Sequence, residues 1–165
     1  MSMCMACCAD CKPRYKRLVD SIFPTNLQDG LVKSNMEKLT FYALSSPEKL
    51  DRIGDYLAKK LSHDVHRHRV GHVFVAMEAL DQLLVACHAQ SVNIFVESFL
   101  KMVQKLLECE EPDLKVLATT SFVKFSHIEE VTPSYHGRER FFVFAVPYFS
   151  YMCHNNNEKV DVCLK

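Results

Sequence analysis

Glycine is scarce in this chain of 165 residues, with only four occurrences, at positions 30, 54, 71 and 137. None of them forms a Gly-x-Ser-x-Gly motif, the sharp turn that exposes the nucleophilic serine of many lipases and esterases. No glycine-rich loop of the kind that binds phosphate groups interrupts the chain. We therefore predict a protein that is not an enzyme, with no catalytic residues and no cofactor.

The chain also lacks an excess of charge and a long apolar run. Twenty basic residues balance twenty acidic residues, so no overall positive field attracts nucleic acid, and we expect no nucleic-acid partner. No apolar run approaches the ~20 residues of a membrane-spanning helix, so any membrane association is expected to be peripheral. A signal peptide would need ~7 to 15 consecutive apolar residues near the N-terminus, but Asp10 and Lys12 interrupt this stretch. We therefore do not expect secretion.

What the sequence does have is a cluster of thiols beside positive charge at its N-terminus. Four of the eight cysteines fall within eight residues, in the pattern C-x-x-C-C-x-x-C, and four basic residues follow directly. The cysteines are Cys4, Cys7, Cys8 and Cys11, and the basic residues are Lys12, Arg14, Lys16 and Arg17.

Three interpretations of the cysteines compete. A structural zinc site usually has two C-x-x-C pairs separated by a folded loop, but Cys7 and Cys8 are adjacent and leave no loop. A second interpretation is an inert or redox-active thiol cluster. The third is S-acylation, which suits terminal cysteines beside a polybasic stretch. We predict S-palmitoylation at these cysteines, no metal, and anionic lipids as partners of the basic residues, because one acyl chain anchors stably only with a second chain or a basic patch.

Helical periodicity dominates the rest of the chain. Ser34 and Glu37 predict a capping box that opens a helix, and Pro47 predicts the start of the next one. Apolar residues then recur at helical spacing in four further stretches. They are Leu50, Ile53, Leu57 and Leu61; Val73, Ala76, Met77, Leu80, Leu83, Leu84 and Cys87; Phe95, Phe99, Met102, Val103 and Leu106; and Leu114, Leu117, Ala118, Phe122 and Phe125.

The helix starts recur with a period. The predicted N-caps Ser46, Ser91 and Thr132 are 45 and 41 residues apart, within the ~40 to 47 residues of HEAT or armadillo repeats. We therefore predict an all-α armadillo/HEAT-like solenoid with a flexible N-terminal tail. The predicted parts are an anchor segment at 1–17, a helical-repeat domain at 18–137 and an aromatic tail at 138–165.

Four histidines lie close together at positions 63, 66, 68 and 72. The pairs His63 with His66 and His68 with His72 have a spacing that shares a helix face, which leaves a zinc site open as an alternative. A solvated basic turn is the interpretation we favour.

Several runs in order resemble one known family. They are KPRYKRLVDSIFP at 12–24, DGLVKSNMEKLTFYA at 29–43, PEKLDRIGDYL at 47–57, AMEALDQLL at 76–84, FVESFL at 95–100 and SFVKFSHIEEVTPSYH at 121–136. Together they closely resemble the N-terminal region of the Efr (eighty-five-requiring) family, which includes the Rolling blackout proteins.

The resemblance implies a peripheral plasma-membrane scaffold at the cytosolic leaflet. Family members are palmitoylated on N-terminal cysteines and hold a phosphatidylinositol 4-kinase alpha complex through a tetratricopeptide-repeat adaptor and hyccin. Their adaptor-binding segment lies toward the far C-terminus, so we expect this chain to keep the anchoring function and to lack kinase recruitment. The remaining alternatives are a lipid hydrolase and a zinc-binding regulatory module.

Overall fold

The computed structural model describes residues 12–26, 29–87 and 93–131. Within these ranges the chain forms α-helices and no β-strand, which confirms the all-α prediction. The helices are α1 (Arg14–Ser21), α2 (Lys33–Ser45), α3 (Leu50–His66), α4 (Val70–Cys87), α5 (Asn93–Glu108) and α6 (Pro112–Val131), and a 3-10 turn at Pro47–Lys49 precedes α3.

The chain divides into two compact units, Met1–Phe99 and Leu100–Lys165. In the first unit α1 packs on α2 and α3, and α4 packs on α2 and α3. The apolar stripes predicted for α3 and α4 are completely buried, so their interpretation as core faces is confirmed. In the second unit Leu114, Ala118, Phe122 and Phe125 of α6 are buried, and the two phenylalanine rings lie 6.2 Å apart.

Helix α4 has the length and composition of a membrane span, with 18 residues and a mean hydropathy of 1.5. The expectation that no apolar run approaches the ~20 residues of a membrane span therefore missed this helix. More than half of the helix, 56%, is buried inside the protein. A core helix packed on two neighbours has the same apolar composition, so hydropathy alone does not distinguish it from a membrane span.

The first residues of α5 pack tightly against α3. The ring of Phe95 is fully buried, and a Cβ atom added to Gly54 would lie 2.7 Å from the Phe95 Cδ2 atom. Beside this contact the Ser98 hydroxyl donates a hydrogen bond of 3.1 Å to Asp55. A side chain at position 54 would therefore force the buried Phe95 ring to shift.

Two features of the N-terminal third differ from the sequence analysis. Helix α1 extends to Ser21 and so crosses residue 17, the predicted boundary between the anchor segment and the repeat domain. The prediction of a capping box at Ser34 and Glu37 was wrong, because α2 begins at Lys33 and no side chain caps its N-terminus. The Val32 N–H donates to the Ile22 carbonyl at 3.0 Å, and this hydrogen bond turns the chain into the helix before Ser34 is reached.

Some predictions lie outside the described residues. These are the N-caps at Ser91 and Thr132, the four N-terminal cysteines and the aromatic tail at 138–165. Within the described residues, Gly30 has a φ of +65°, a backbone conformation that favours glycine.

Candidate membrane-binding surface

The predicted basic residues lie on or next to α1. Pro13 occupies the N-cap position, and its carbonyl accepts hydrogen bonds from the N–H groups of Lys16 and Arg17 at 3.0 and 3.2 Å. Val19 in the helix and Ile22 at its C-cap are fully buried. Because α1 is amphipathic, burial of this apolar side leaves its basic side facing solvent.

Aromatic rings lie beneath the cations of this surface. The Arg14 guanidinium is 5.2 Å from the centre of the Tyr42 ring, and the Lys16 ammonium is 5.2 Å from the centre of the Tyr56 ring. Tyr15 packs edge-on against Tyr56 with 6.3 Å between ring centres. Rings at these distances attract a cation electrostatically and restrict its side chain. Arg17 is exposed and extends the same basic side of α1.

One carboxylate, that of Asp20, holds several of these groups together. Asp20 forms ion pairs with Lys12 and with Lys60, the second at 2.9 Å, and it accepts a hydrogen bond of 3.1 Å from the Tyr56 hydroxyl. Burial alone would raise the pKa of this carboxyl, but the two ammonium groups outweigh it and lower the pKa. The hydrogen bond to Asp20 in turn raises the pKa of Lys12. Both members of the pair are therefore held in their charged forms.

Lys60 adds a second cation from α3. Its ammonium lies 4.3 Å from the centre of the Phe23 ring. The Phe23 ring also stacks on the His72 ring, with 5.8 Å between the ring centres and 23° between the ring planes. We call the set Lys12, Arg14, Lys16, Arg17, Tyr56 and Lys60 the cationic surface. The sequence analysis identified its four α1-side residues and missed Tyr56, Lys60 and the Asp20 that links them.

The histidine cluster does not form a metal site. His66 donates from Nδ1 to the Ser62 carbonyl at 2.7 Å, and His63 lies 3.4 Å from Asp64. Among the residues that the structure describes, no group of three histidine, cysteine or acidic side chains could hold a metal ion. His68 occupies the turn after α3, with a φ of +52°.

The two described cysteines have no activated thiol. Cys87 is buried at the end of α4, and burial raises the pKa of its thiol. Burial also raises the pKa of Cys109, whose thiol donates to the Lys105 carbonyl at 3.2 Å. A nucleophilic or metal-binding cysteine needs the opposite shift, toward the thiolate.

The fold belongs to the class of armadillo-type α-solenoid proteins. It aligns with a crystal structure of Efr3 with a TM-score of 0.73 over 87% of this chain and 28% of that one, at 20% sequence identity. At that identity the alignment establishes the fold only.

The sequence comparisons are more specific. The family model described as EFR3, armadillo repeat, matches residues 36–164. The chain is 65% identical to EFR3 homolog B of Danio rerio over 159 residues, 65% identical to EFR3 homolog A of Homo sapiens over 156, and 62% identical to EFR3 homolog cmp44E of Drosophila melanogaster over 156. The chain therefore belongs to the EFR3 armadillo-repeat family, as the resemblance indicated.

The match covers nearly all of this chain and a small part of its relatives. It includes 96% of this chain and 19% of the zebrafish protein, and 94% of this chain and 18% of the fly protein. The chain thus spans about a fifth of the length of the curated relatives it matches.

Proposed function

We propose that this chain is a peripheral membrane scaffold that is not an enzyme and that attaches to the cytosolic face of the plasma membrane. Its membership of the EFR3 family supports this role. The observation that carries the proposal is the cationic surface, where exposed and partly exposed cations of α1 and α3 lie over aromatic rings, starting at Lys12 directly after Cys11.

The proposed anchor has two parts, thioester-linked acyl chains on Cys4, Cys7, Cys8 and Cys11 and lipid contact by Lys12, Arg14, Lys16 and Arg17. An acyl chain contributes about 0.8 kcal/mol per buried methylene, yet a single chain binds only marginally. Each lysine or arginine near an anionic leaflet adds about 1 kcal/mol, and salt weakens this contribution. Stable attachment is therefore expected only when both parts act together.

The three proposed segments divide these tasks. Residues 1–17 anchor the protein, residues 18–137 form the helical-repeat domain, and residues 138–165 are a separate tail. Because α1 spans residues 14 to 21, the anchor continues directly into the repeat domain without an intervening linker.

Recruitment of a kinase complex is an expectation that rests on the family resemblance. Family members hold a phosphatidylinositol 4-kinase alpha complex through a tetratricopeptide-repeat adaptor and hyccin. We propose that the residues of this chain, which correspond to 19% of the zebrafish relative, supply the membrane anchor of that assembly. Co-expression with the adaptor tests whether they also recruit it: adaptor that moves to the membrane fraction with this chain would show recruitment, and adaptor that stays in the soluble fraction would limit these residues to anchoring.

The anchoring proposal is tested by replacing Cys4, Cys7, Cys8 and Cys11 together with serine in the full chain. We expect the variant to leave the membrane fraction and to lose the hydroxylamine-sensitive label that reports thioesters. Cys109→Ser is the matched control, since it removes a thiol distant from the anchor. Unchanged fractionation of the quadruple variant, or a wild-type chain without hydroxylamine-sensitive lipid, would contradict acylation.

A further inference from the structure

A second exposed feature of the first unit lies between α2 and α4. It is an open groove of about 420 Å³ lined by Glu37, Thr40, Phe41, Leu44, Gln82 and Ala86. We call it the α2–α4 groove. None of its lining residues belongs to the cationic surface.

The groove has an unusually apolar surface for a position that solvent reaches. Phe41 is 74% exposed and Leu44 is 42% exposed on α2, while Val85 is 53% exposed and Phe74 is 41% exposed on α4. Single exposed apolar residues are common on proteins and need no explanation. Phe41 and Leu44, however, line the same groove, and clustered exposed apolar residues usually mark an interaction site.

Carboxylates lie at the edge of this apolar strip. Glu37 precedes Phe41 by one helical turn, and among the described residues it has no ion-pair partner within 4.0 Å. On α4, Glu78 accepts a hydrogen bond of 3.2 Å from Gln82, and it lies between Phe74 and Val85 in sequence. Lys33 lies one turn before Glu37, beyond the lining residues, and Lys38 donates to Asn35.

We propose that the α2–α4 groove binds an amphipathic helix of a partner protein, with apolar side chains against Phe41 and Leu44 and with lysine or arginine facing Glu37 and Glu78. Helices bind in grooves through apolar residues spaced three, four and seven apart, and Phe41 and Leu44 supply the apolar wall against which such residues pack. The acidic edge supplies charge complementarity to a basic helix, and it repels an acidic one.

The acidic edge also argues against lipid as the occupant. Carboxylates held against an anionic leaflet raise the energy of binding, in contrast to the cations around α1. The groove is therefore a protein-binding surface, and this inference goes beyond the proposed anchoring function.

The test uses two synthetic 18-residue amphipathic peptides with identical leucine positions. One carries lysine and the other glutamate at the remaining charged positions, and binding to the full chain is followed by fluorescence anisotropy. We expect the lysine peptide to bind at least about tenfold more tightly than the glutamate peptide, and Phe41→Ser to weaken it about tenfold or more. Val116→Ser on α6, which is 58% exposed and outside the groove, is the matched control and leaves binding unchanged.

Charge exchange gives the decisive result. In a variant with Glu37→Lys and Glu78→Lys the preference should reverse in favour of the glutamate peptide. Because Phe41 is largely exposed, its serine variant should keep the wild-type circular dichroism spectrum, and Leu44→Ser, at a second lining residue, replaces it if the spectrum changes.

Three results would overturn the proposal. The first is a preference for lysine that the charge exchange does not reverse, since binding would then occur elsewhere. The second is loss of vesicle binding in Phe41→Ser, which would make the groove a lipid surface. The third is self-association of the wild-type chain that Phe41→Ser abolishes in the absence of peptide binding, which would make the occupant a second copy.

Discussion

The cationic surface and the α2–α4 groove are parts of one helical unit, yet they differ in how their polar groups are satisfied. On the cationic surface, Asp20 and the rings of Tyr42 and Tyr56 hold the cations in place before any ligand arrives. In the groove, Phe41 is exposed and Glu37 has no ion-pair partner among the described residues. The difference teaches that one small domain can present a surface suited to anionic lipid and another suited to a basic helix.

The largest expected effect separates the two surfaces by charge reversal. Replacing Lys12, Arg14, Lys16 and Arg17 with glutamate should lower affinity for phosphatidylserine-containing vesicles by about a hundredfold or more, because each cation contributes about 1 kcal/mol. Affinity for neutral phosphatidylcholine vesicles should change little. Sedimentation with vesicles at low salt measures both, and binding of the lysine peptide should be retained.

A control with the same change in net charge sharpens this prediction. Lys33, Lys38, Arg52 and Lys59 are exposed and lie outside the cationic surface. Their joint replacement with glutamate should cost much less vesicle affinity. Equal losses in both variants would mean that vesicles respond to the total charge and not to a particular surface.

The second effect concerns the interior that both surfaces share. Gly54→Ala forces a methyl group to within 2.7 Å of the buried Phe95 ring, and overpacking of this kind costs about 1–3 kcal/mol. The better helix propensity of alanine offsets up to about 1 kcal/mol of that cost. Urea denaturation should therefore show a lower free energy of unfolding, with ligand preferences intact.

Partial rescue by a smaller side chain tests the cause. In the background of Gly54→Ala, Phe95→Leu should cost less than it does in the wild-type chain, because the smaller leucine relieves the clash that the alanine methyl group creates. Strict additivity of the two changes would show that the contact between α3 and α5 is not the source of the destabilisation.

The third effect is smaller and has opposite signs in two measurements. Asp20→Asn should lower the free energy of unfolding by about 1 kcal/mol, as expected for part-exposed ion pairs, and should also raise affinity for anionic vesicles several-fold by removing a negative charge. Glu37→Gln is the control, since it removes one negative charge at a residue without an ion-pair partner among the described residues. Weaker vesicle binding by Asp20→Asn would indicate that Asp20 acts mainly by positioning Lys12 and Lys60.

The contribution of Asp20 to stability should depend on pH. Its pKa is lowered in the folded protein, so its contribution is fully present above the unfolded pKa of about 3.9 and is lost as the pH falls through the folded value. The difference in stability between wild type and Asp20→Asn should therefore be constant above about pH 5 and should shrink below about pH 4. A difference that persists at pH 2 would assign the effect to packing.

The smallest effect lies away from both surfaces. His68 has a positive φ in the turn between α3 and α4, a conformation that costs a non-glycine residue about 1 kcal/mol or more. His68→Gly relieves this strain but enlarges the unfolded ensemble, so the net gain should be about 0.5 kcal/mol by urea denaturation. His68→Ala, which keeps the Cβ atom, should give no gain, and an equal gain in both would rule out backbone strain as the cause.

How much of this the sequence predicts depends on the distance along the chain between interacting residues. The buried faces of α3 and α4 follow from helical periodicity alone, because an apolar stripe can face only the core. The start of α2 does not follow from periodicity. It comes directly after the hydrogen bond between Val32 and Ile22, and Ser34 does not cap it. Asp20 and Lys60 are 40 residues apart, so no local pattern joins them.

The α2–α4 groove left a weaker trace in the sequence. The buried residues of α2 are Met36, Leu39 and Ala43, and Phe41 and Leu44 lie outside this buried face. Large apolar residues outside the buried face of a helix can indicate a binding surface. The sequence does not show that α4 packs beside them, so the groove becomes visible only in the fold.

In the proposed membrane-bound state, the ion pair between Lys12 and Asp20 would affect the height of the solenoid above the bilayer. It fixes the chain to the folded unit at Lys12, one residue after Cys11 and eight after Cys4. An extended chain spans at most about 3.6 Å per residue, so an acyl chain on Cys11 allows a separation of only a few ångströms, whereas one on Cys4 allows up to about 29 Å. The choice of acylated cysteine would therefore set the tether length, and with it whether the cations of α1 can reach the headgroups at all.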